Sequence, residues 1–304
     1  MASGGDIYSQ KKTSSMSPVV KAALWMSGAI VSFSSMAVAG RELGGSFDTF
    51  EIMMYRSLVG LTIVCVVLSV TGGWRQVTRR SMGTQIMRNL AHFCGQNLWL
   101  FAVTVIPLAQ VFALEFTTPL WVIIFAPFVL GERLTPVRVL AASLGFIGIL
   151  IVARPSPDTI NIGIMTAAGA AVFFAITVML TKRLTQTESI GCILFWLTTI
   201  QLGLGLVAAG YDGDIALPTA EFLPWLVLVG LAGLLAHFCI TNALAIAPAT
   251  VVVPFDFVRL PAIAVVGVLL YDEALDIWVL IGAMVIFLGI YLNVLAETRK
   301  IRVA

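Results

Sequence analysis

The segment Ala91-His92-Phe93-Cys94-Gly95-Gln96-Asn97 returns later in the chain as Ala236-His237-Phe238-Cys239-Ile240-Thr241-Asn242. Its two histidines are the only ones among 304 residues. When four residues are dropped after this segment, the match continues. Pro107 then pairs with Pro248, Glu115-Phe116 with Asp256-Phe257, Gly131-Glu132 with Asp272-Glu273, and Gly148-Ile149 with Gly289-Ile290. Chance identity between apolar helices is common, but a shared histidine and a shared carboxylate are not. The chain therefore reads as two copies of one unit.

Composition says what kind of unit. Apolar residues make up 59% of the chain and charged residues only 11%, against about 25% charged in soluble domains. Mean hydropathy is +1.00. These figures exclude a disordered chain and argue against an ordinary soluble enzyme. Continuous apolar runs fall at about 19–39, 48–71, 84–105, 108–130 and 136–154, then at 162–182, 189–209, 223–246, 249–270 and 276–296. Each is near the roughly 20 residues that cross a bilayer as a helix. A β-barrel would show short alternating segments instead. The run after Pro18 is too long for a signal-peptide core and reads as the first span. The expected fold is an all-α polytopic membrane protein with ten transmembrane helices in two inverted five-helix repeats. Residues 1–18 form an N-terminal tail, 19–155 the first repeat, 156–297 the second and 298–304 a C-terminal tail. The repeats are inverted because five is odd, so the second unit enters the membrane from the other side.

Charge sets the orientation. With a cytoplasmic N-terminus, fourteen Lys and Arg fall on the inner side and only Arg41 and Arg154 on the outer. The positive-inside rule then puts both termini in the cytoplasm. A net charge of +2 without a basic tract gives no nucleic-acid signature. Cys65, Cys94, Cys192 and Cys239 have no CxxC partner, and two lone histidines are a poor metal set. No cofactor or metal is expected.

The chain resembles the drug/metabolite transporter superfamily, in its EamA-type branch. The resemblance is carried by Met54-Tyr55-Arg56, Pro107-Leu108-Ala109 and Gly131-Glu132-Arg133-Leu134-Thr135. In the second half it rests on Ala247-Pro248-Ala249 and Asp272-Glu273-Ala274. It covers about residues 19–297. It implies ten helices, a central cavity, alternating access and a substrate among amino acids, vitamins, S-adenosylmethionine and similar metabolites.

Ionised groups deep in lipid must face a partner or a watery cavity. Arg56, Glu115, Asp256 and Arg259 qualify, with Glu51 nearer the edge. Glu115 and Asp256 each lie seven residues into a span, so they are about 10 Å from opposite faces and flank the midplane. Arg259 sits at i+3 from Asp256, either as a self-contained structural pair or as part of a solute site. Glu115 has no basic residue three or four positions away, and Arg56 is its best available partner. Prolines interrupt both acid-bearing spans, at Pro107, Pro119 and Pro127 and at Pro248, Pro254 and Pro261. Matching interruptions in two halves point to a transport site. His92, Gln96 and Asn97, with His237 and Asn242, form polar stripes on spans three and eight. The histidines can carry protons or simply hydrogen-bond a neighbouring helix. Tyr55, Phe116 and Phe257 can stack on a solute. Ala141 and Gly145 permit close helix approach, for internal packing or for a homodimer.

The expected function is a secondary active transporter of a small polar organic metabolite, an amino-acid derivative or a vitamin- or nucleoside-like solute, in a bacterial inner membrane. Its partners are the solute and the lipid bilayer, with coupling to protons or a counter-solute, and the chain acts as a monomer or homodimer. It is not expected to be an enzyme. Two other classes compete: an intramembrane lipid-modifying enzyme built on the histidines and nearby acids, and a non-transporting scaffold.

Overall fold

A computed structural model describes residues 18–129, 136–154, 161–211, 213–252, 255–256, 259–274 and 276–303. The first half holds α1 (Pro18–Leu43), α2 (Thr49–Val70), α3 (Met82–Val105), α4 (Leu108–Glu115), α5 (Thr118–Val129) and α6 (Pro136–Ala153). The second holds α7 (Ile162–Leu184), α8 (Ile190–Ala209), α9 (Leu223–Ile246), α10 (Ala249–Val252), α11 (Arg259–Tyr271) and α12 (Ile277–Val303). A short 3₁₀ turn, Gly73–Gln76, separates α2 from α3. Among the described residues each half gives five segments in the expected order, the fourth represented by two helices (α4 and α5, α10 and α11). Six stretches among the described residues are apolar and long enough to cross a membrane: α1 from Val20, α2, Leu108–Phe125 across the α4–α5 break, α7, α8 and α9. Although long, α3 is not among them, because Gln85, Arg88, Asn89, His92, Gln96 and Asn97 lie along it. All six are buried. Large apolar side chains cover the outside instead, among them Val31, Val66, Phe128, Val207, Leu269 and Met284. An apolar exterior with the polar side chains turned inward is what a lipid solvent selects.

The break in the fourth segment has a chemical cause. Pro119 has no N–H to give the Glu115 carbonyl four residues back. The Thr118 hydroxyl donates to that carbonyl instead, at 2.7 Å. At the start of α2, Asp48 and Glu51 form a reciprocal capping box, and Glu51 also accepts the Ala216 N–H at 2.6 Å. Glu51 is therefore a helix-end carboxylate, saturated by backbone donors.

The packing reveals a two-fold relation between halves. α1 packs along α9, and α3 packs along α7. α2 faces α8, and α6 faces α12. First on eighth and third on sixth are one contact made twice with the halves exchanged. Second on seventh and fifth on tenth are each their own mate. Such reciprocity is the mark of a two-fold axis.

The contacts at the helix ends fix the sense of that axis. Arg41, near the end of α1, reaches the end of α3 through the Val103 and Ile106 carbonyls, at 2.8 and 2.6 Å. Glu188, just beyond α7, instead meets Thr78 ahead of α3, at 2.6 Å. α1 and its counterpart α7 therefore finish at opposite ends of the same helix, and the repeats are inverted. Inside, Gly145 leaves no room for a side chain against Leu120 of α5, so this small residue serves internal packing.

Candidate functional site

The site begins where the two copies touch. His92 of α3 and His237 of α9 meet edge to face with ring centroids 4.6 Å apart. Phe174 of α7 lies 6.3 Å from the His92 ring, and Phe33 of α1 lies 5.9 Å from the His237 ring. Phe33 and Phe174 are 141 positions apart, the offset that also relates Glu115 to Asp256. The four rings are two repeat-related pairs gathered about the axis. Both histidines are buried, yet Nδ1 and Nε2 of His92, Nε2 of His237 and Nε2 of Gln96 have no hydrogen-bond partner. Buried polar atoms are normally satisfied, so these ask for a ligand or water.

They face a cavity with about 720 Å³ of empty space, counting the part open to solvent. Beside them in its wall stand Glu115, Asp256 and Arg259. Arg259 is 1% exposed. Its Nη2 donates to Glu115 at 2.6 Å and also pairs with Asp256. Trp99 Nε1 donates to the other Glu115 oxygen, at 2.6 Å. The guanidinium lies over Phe112 and Phe33, 4.5 and 5.1 Å from their centroids. Delocalised charge suits such stacking. Two carboxylates around one guanidinium leave a formal excess of one negative charge. One Asp256 oxygen and Arg259 Nε still lack partners.

This arrangement revises one expectation. Glu115 pairs with Arg259 of the opposite repeat and not with Arg56. The register between helices, invisible in a single chain, brings Arg259 of α11 to the end of α4. Of the expected residues, His92, Gln96, Glu115, Phe116, His237, Asp256 and Arg259 line the cavity. Phe257 lies outside the described residues. Tyr55 donates to the Ala216 carbonyl at 2.8 Å, near the start of α2, and packs on Phe47. Asn97 and Asn242 each donate back to the carbonyl four residues earlier, at 2.8 Å, and stay out of the cavity wall. Arg56 lies in a separate, smaller space. Sequence reasoning missed Phe33 and Phe174, which sit in no motif. The 141-residue offset, applied to every position, would have paired them.

Two inverted five-segment units with a part-open cavity between them, its mostly apolar wall holding a few ionised and polar side chains, define a class: a polytopic membrane transporter. The EamA-like transporter family matches residues 20–154 and again 161–295. The chain belongs to that family and is a transporter of small metabolites. A riboflavin transporter of Brucella anthropi is 32% identical over 227 residues, 73% of this chain and 80% of the relative. A riboflavin transporter of Vibrio cholerae is 28% identical over 93% of this chain and 96% of its own. An S-adenosylmethionine uptake transporter of Rickettsia bellii is 26% identical, covering 86% and 89%. A protein of known crystal structure shares the fold with a TM-score of 0.69 at 17% identity, over 92% of this chain and 99% of its own.

Proposed function

We propose that the chain carries a flat, nitrogen-rich metabolite of the riboflavin class inward across a bacterial inner membrane by alternating access, with both termini cytoplasmic. The observation that carries this reading is the ring cluster: aromatic faces from both repeats beside buried histidine and glutamine nitrogens that have no partner. Phe33, Phe174 and Phe116 supply stacking surfaces. His92, Gln96 and His237 supply donors and acceptors for ring heteroatoms. Glu115, Asp256 and Arg259 take the polar end of the solute. Transport, not catalysis, is the use of these groups. The riboflavin transporters among the relatives support the choice of solute class, and the loop charge bias supports the orientation.

The formal negative excess in the cavity favours a second reading, a cationic solute such as S-adenosylmethionine. Uptake into proteoliposomes decides between them. Radiolabelled riboflavin is expected to enter saturably, and Phe33→Ala and Phe174→Ala are each expected to weaken uptake by about 0.5–1.5 kcal/mol of stacking energy. No riboflavin entry above that of empty vesicles, together with saturable entry of S-adenosylmethionine, selects the second reading. Coupling belongs to the same experiment: the intramembrane histidines and carboxylates support proton coupling, and uptake indifferent to an imposed pH gradient removes it.

A further inference from the structure

A second, smaller space lies away from the solute site, between α2, α8 and α9. It has about 240 Å³ of empty space, counting the part open to solvent, and is lined by Arg56, Ser57, Gly60, Thr198, Gln201 and Gly233, among others. Arg56 is 5% exposed. Among the described residues its one polar side-chain contact is a long one, 3.7 Å to the Met53 sulfur, and its Nε has no partner. The guanidinium lies directly on the bare backbone of α9 at Gly233, where an added Cβ would come within 2.9 Å of Nη2. Arg88 is a second buried cation nearby, 1% exposed. It is held by the Thr181 hydroxyl at 3.1 Å and Asn89 Oδ1 at 3.2 Å. Gln201 joins the two neighbourhoods. It lines the Arg56 cavity and donates to the Asn89 carbonyl at 2.7 Å, while its own Oε1 has no partner. Among the described residues no carboxylate pairs with either arginine. The acids within the bundle, Glu115 and Asp256, are both committed to Arg259.

A guanidinium is not neutralised by losing its proton at any physiological pH. Two uncompensated cations in a low-dielectric interior therefore need a counter-charge from elsewhere. We propose that the cavity at Arg56 binds a small monovalent anion of the halide type, chloride under physiological conditions. The walls fix the class. The room beside the guanidinium is small, because the guanidinium already fills the gap at Gly233, and Leu197 and Leu234 make much of the lining apolar. The Ser57 and Thr198 hydroxyls are engaged with carbonyls of their own helices, at 2.7 and 3.0 Å. So few free donors suit a weakly hydrated single charge and not a phosphate. The site lies close to the solute cavity. Gly233 is one turn from His237 on α9, and Arg88 is one turn from His92 on α3, about 6 Å in each case. The anion thus offsets positive charge beside the histidine pair.

The test needs no knowledge of the solute. The full-length protein in detergent is melted in gluconate at fixed ionic strength while chloride or bromide replaces gluconate. A saturable rise in Tm with either halide is expected. Arg56→Gln should weaken the apparent halide affinity about tenfold or more. Crystals soaked in bromide should show an anomalous peak beside the Arg56 guanidinium, a measurement on the unmutated protein. Equal melting in all three anions overturns the proposal. So does a halide-dependent rise undiminished in Arg56→Gln, or a bromide-soaked crystal with nothing at Arg56.

Discussion

Arg259 is the residue that ties the two repeats together in the wall of the central cavity. It bonds acids from both repeats, Glu115 and Asp256, and is itself almost wholly buried. Removing one partner of a buried ion pair leaves the other charge uncompensated, at about 3–5 kcal/mol. Arg259→Gln does this to two carboxylates at once and should lower the melting temperature in detergent sharply. Glu115→Gln should do far less, because Arg259 keeps Asp256 and an amide oxygen still accepts from Trp99. Equal melting of the two variants would show that Arg259 is not the anchor. Another carboxylate, outside the membrane spans, is tuned differently. Burial pushes the Glu188 carboxyl up, but hydrogen bonds led by that from Thr78 outweigh it and hold the group below its ordinary value. A depressed folded-state value means that stability is present above the ordinary carboxylate range. It is lost as pH falls through the folded value. The acid limb of Tm against pH should therefore flatten in Glu188→Gln, and an unchanged limb would assign it to other acids.

Helices pair here through points of close approach. An added Cβ at Gly205 of α8 would lie 2.9 Å from Met54 Cα and 3.1 Å from Met54 N of α2. Backbone atoms cannot swing aside as a side-chain tip can. Gly205→Ala should therefore push α8 off α2 and cost about 1–3 kcal/mol, read as a lower Tm. At Gly203 of the same helix an added Cβ meets nothing within 4 Å, so Gly203→Ala serves as the control and should be neutral or stabilising. Individual elements were legible from sequence because lipid demands long apolar runs, and the repeat was legible because His92 and His237 are so rare. The matching places of Glu115 and Asp256 in the two repeats were legible too, and both carboxylates line one cavity. Partner choice did not follow. Glu115 meets Arg259, Arg56 sits apart, and Glu51 caps α2, because each depends on how one helix is rotated against another. α3 was legible as the run 84–105, although its buried polar residues lower its mean hydropathy below that of the other long helices. The bend at Pro119 was legible, but the Thr118 hydroxyl that repairs it was not.

At the scale of the molecule, the inverted repeat places matching fastenings at opposite ends of the bundle. Arg41 at the end of α1 donates to the Val103 and Ile106 carbonyls at the end of α3. Lys182 at the end of α7 donates to the Leu244 and Ala247 carbonyls at the end of α9, at 2.7 and 3.0 Å. All three residues of the second set are 141 positions after the first. Both cations also suit the negative ends of the helices they close. The Arg41 end carries an extra tie. Glu273 pairs with Arg41 and accepts the Leu108 N–H at 3.0 Å, joining α1, α4 and the α11–α12 loop. Tyr271 adds a bond to Glu42 at 2.9 Å. If the halves rock about their axis, one set must loosen while the other holds, and the balance between them sets which end of the cavity is open. Arg41→Gln cuts the stronger set and should shift the population toward opening at that end. A single cysteine in place of Met36, which lines the cavity on α1, reports this in a background lacking the four native cysteines. Its labelling by a membrane-impermeant thiol reagent applied from the Arg41 side should quicken severalfold in Arg41→Gln. In Lys182→Gln it should slow from that side and quicken from the other. Labelling that rises from both sides in both variants would mean that these residues merely hold the bundle together, and that no exchange of openings passes through them.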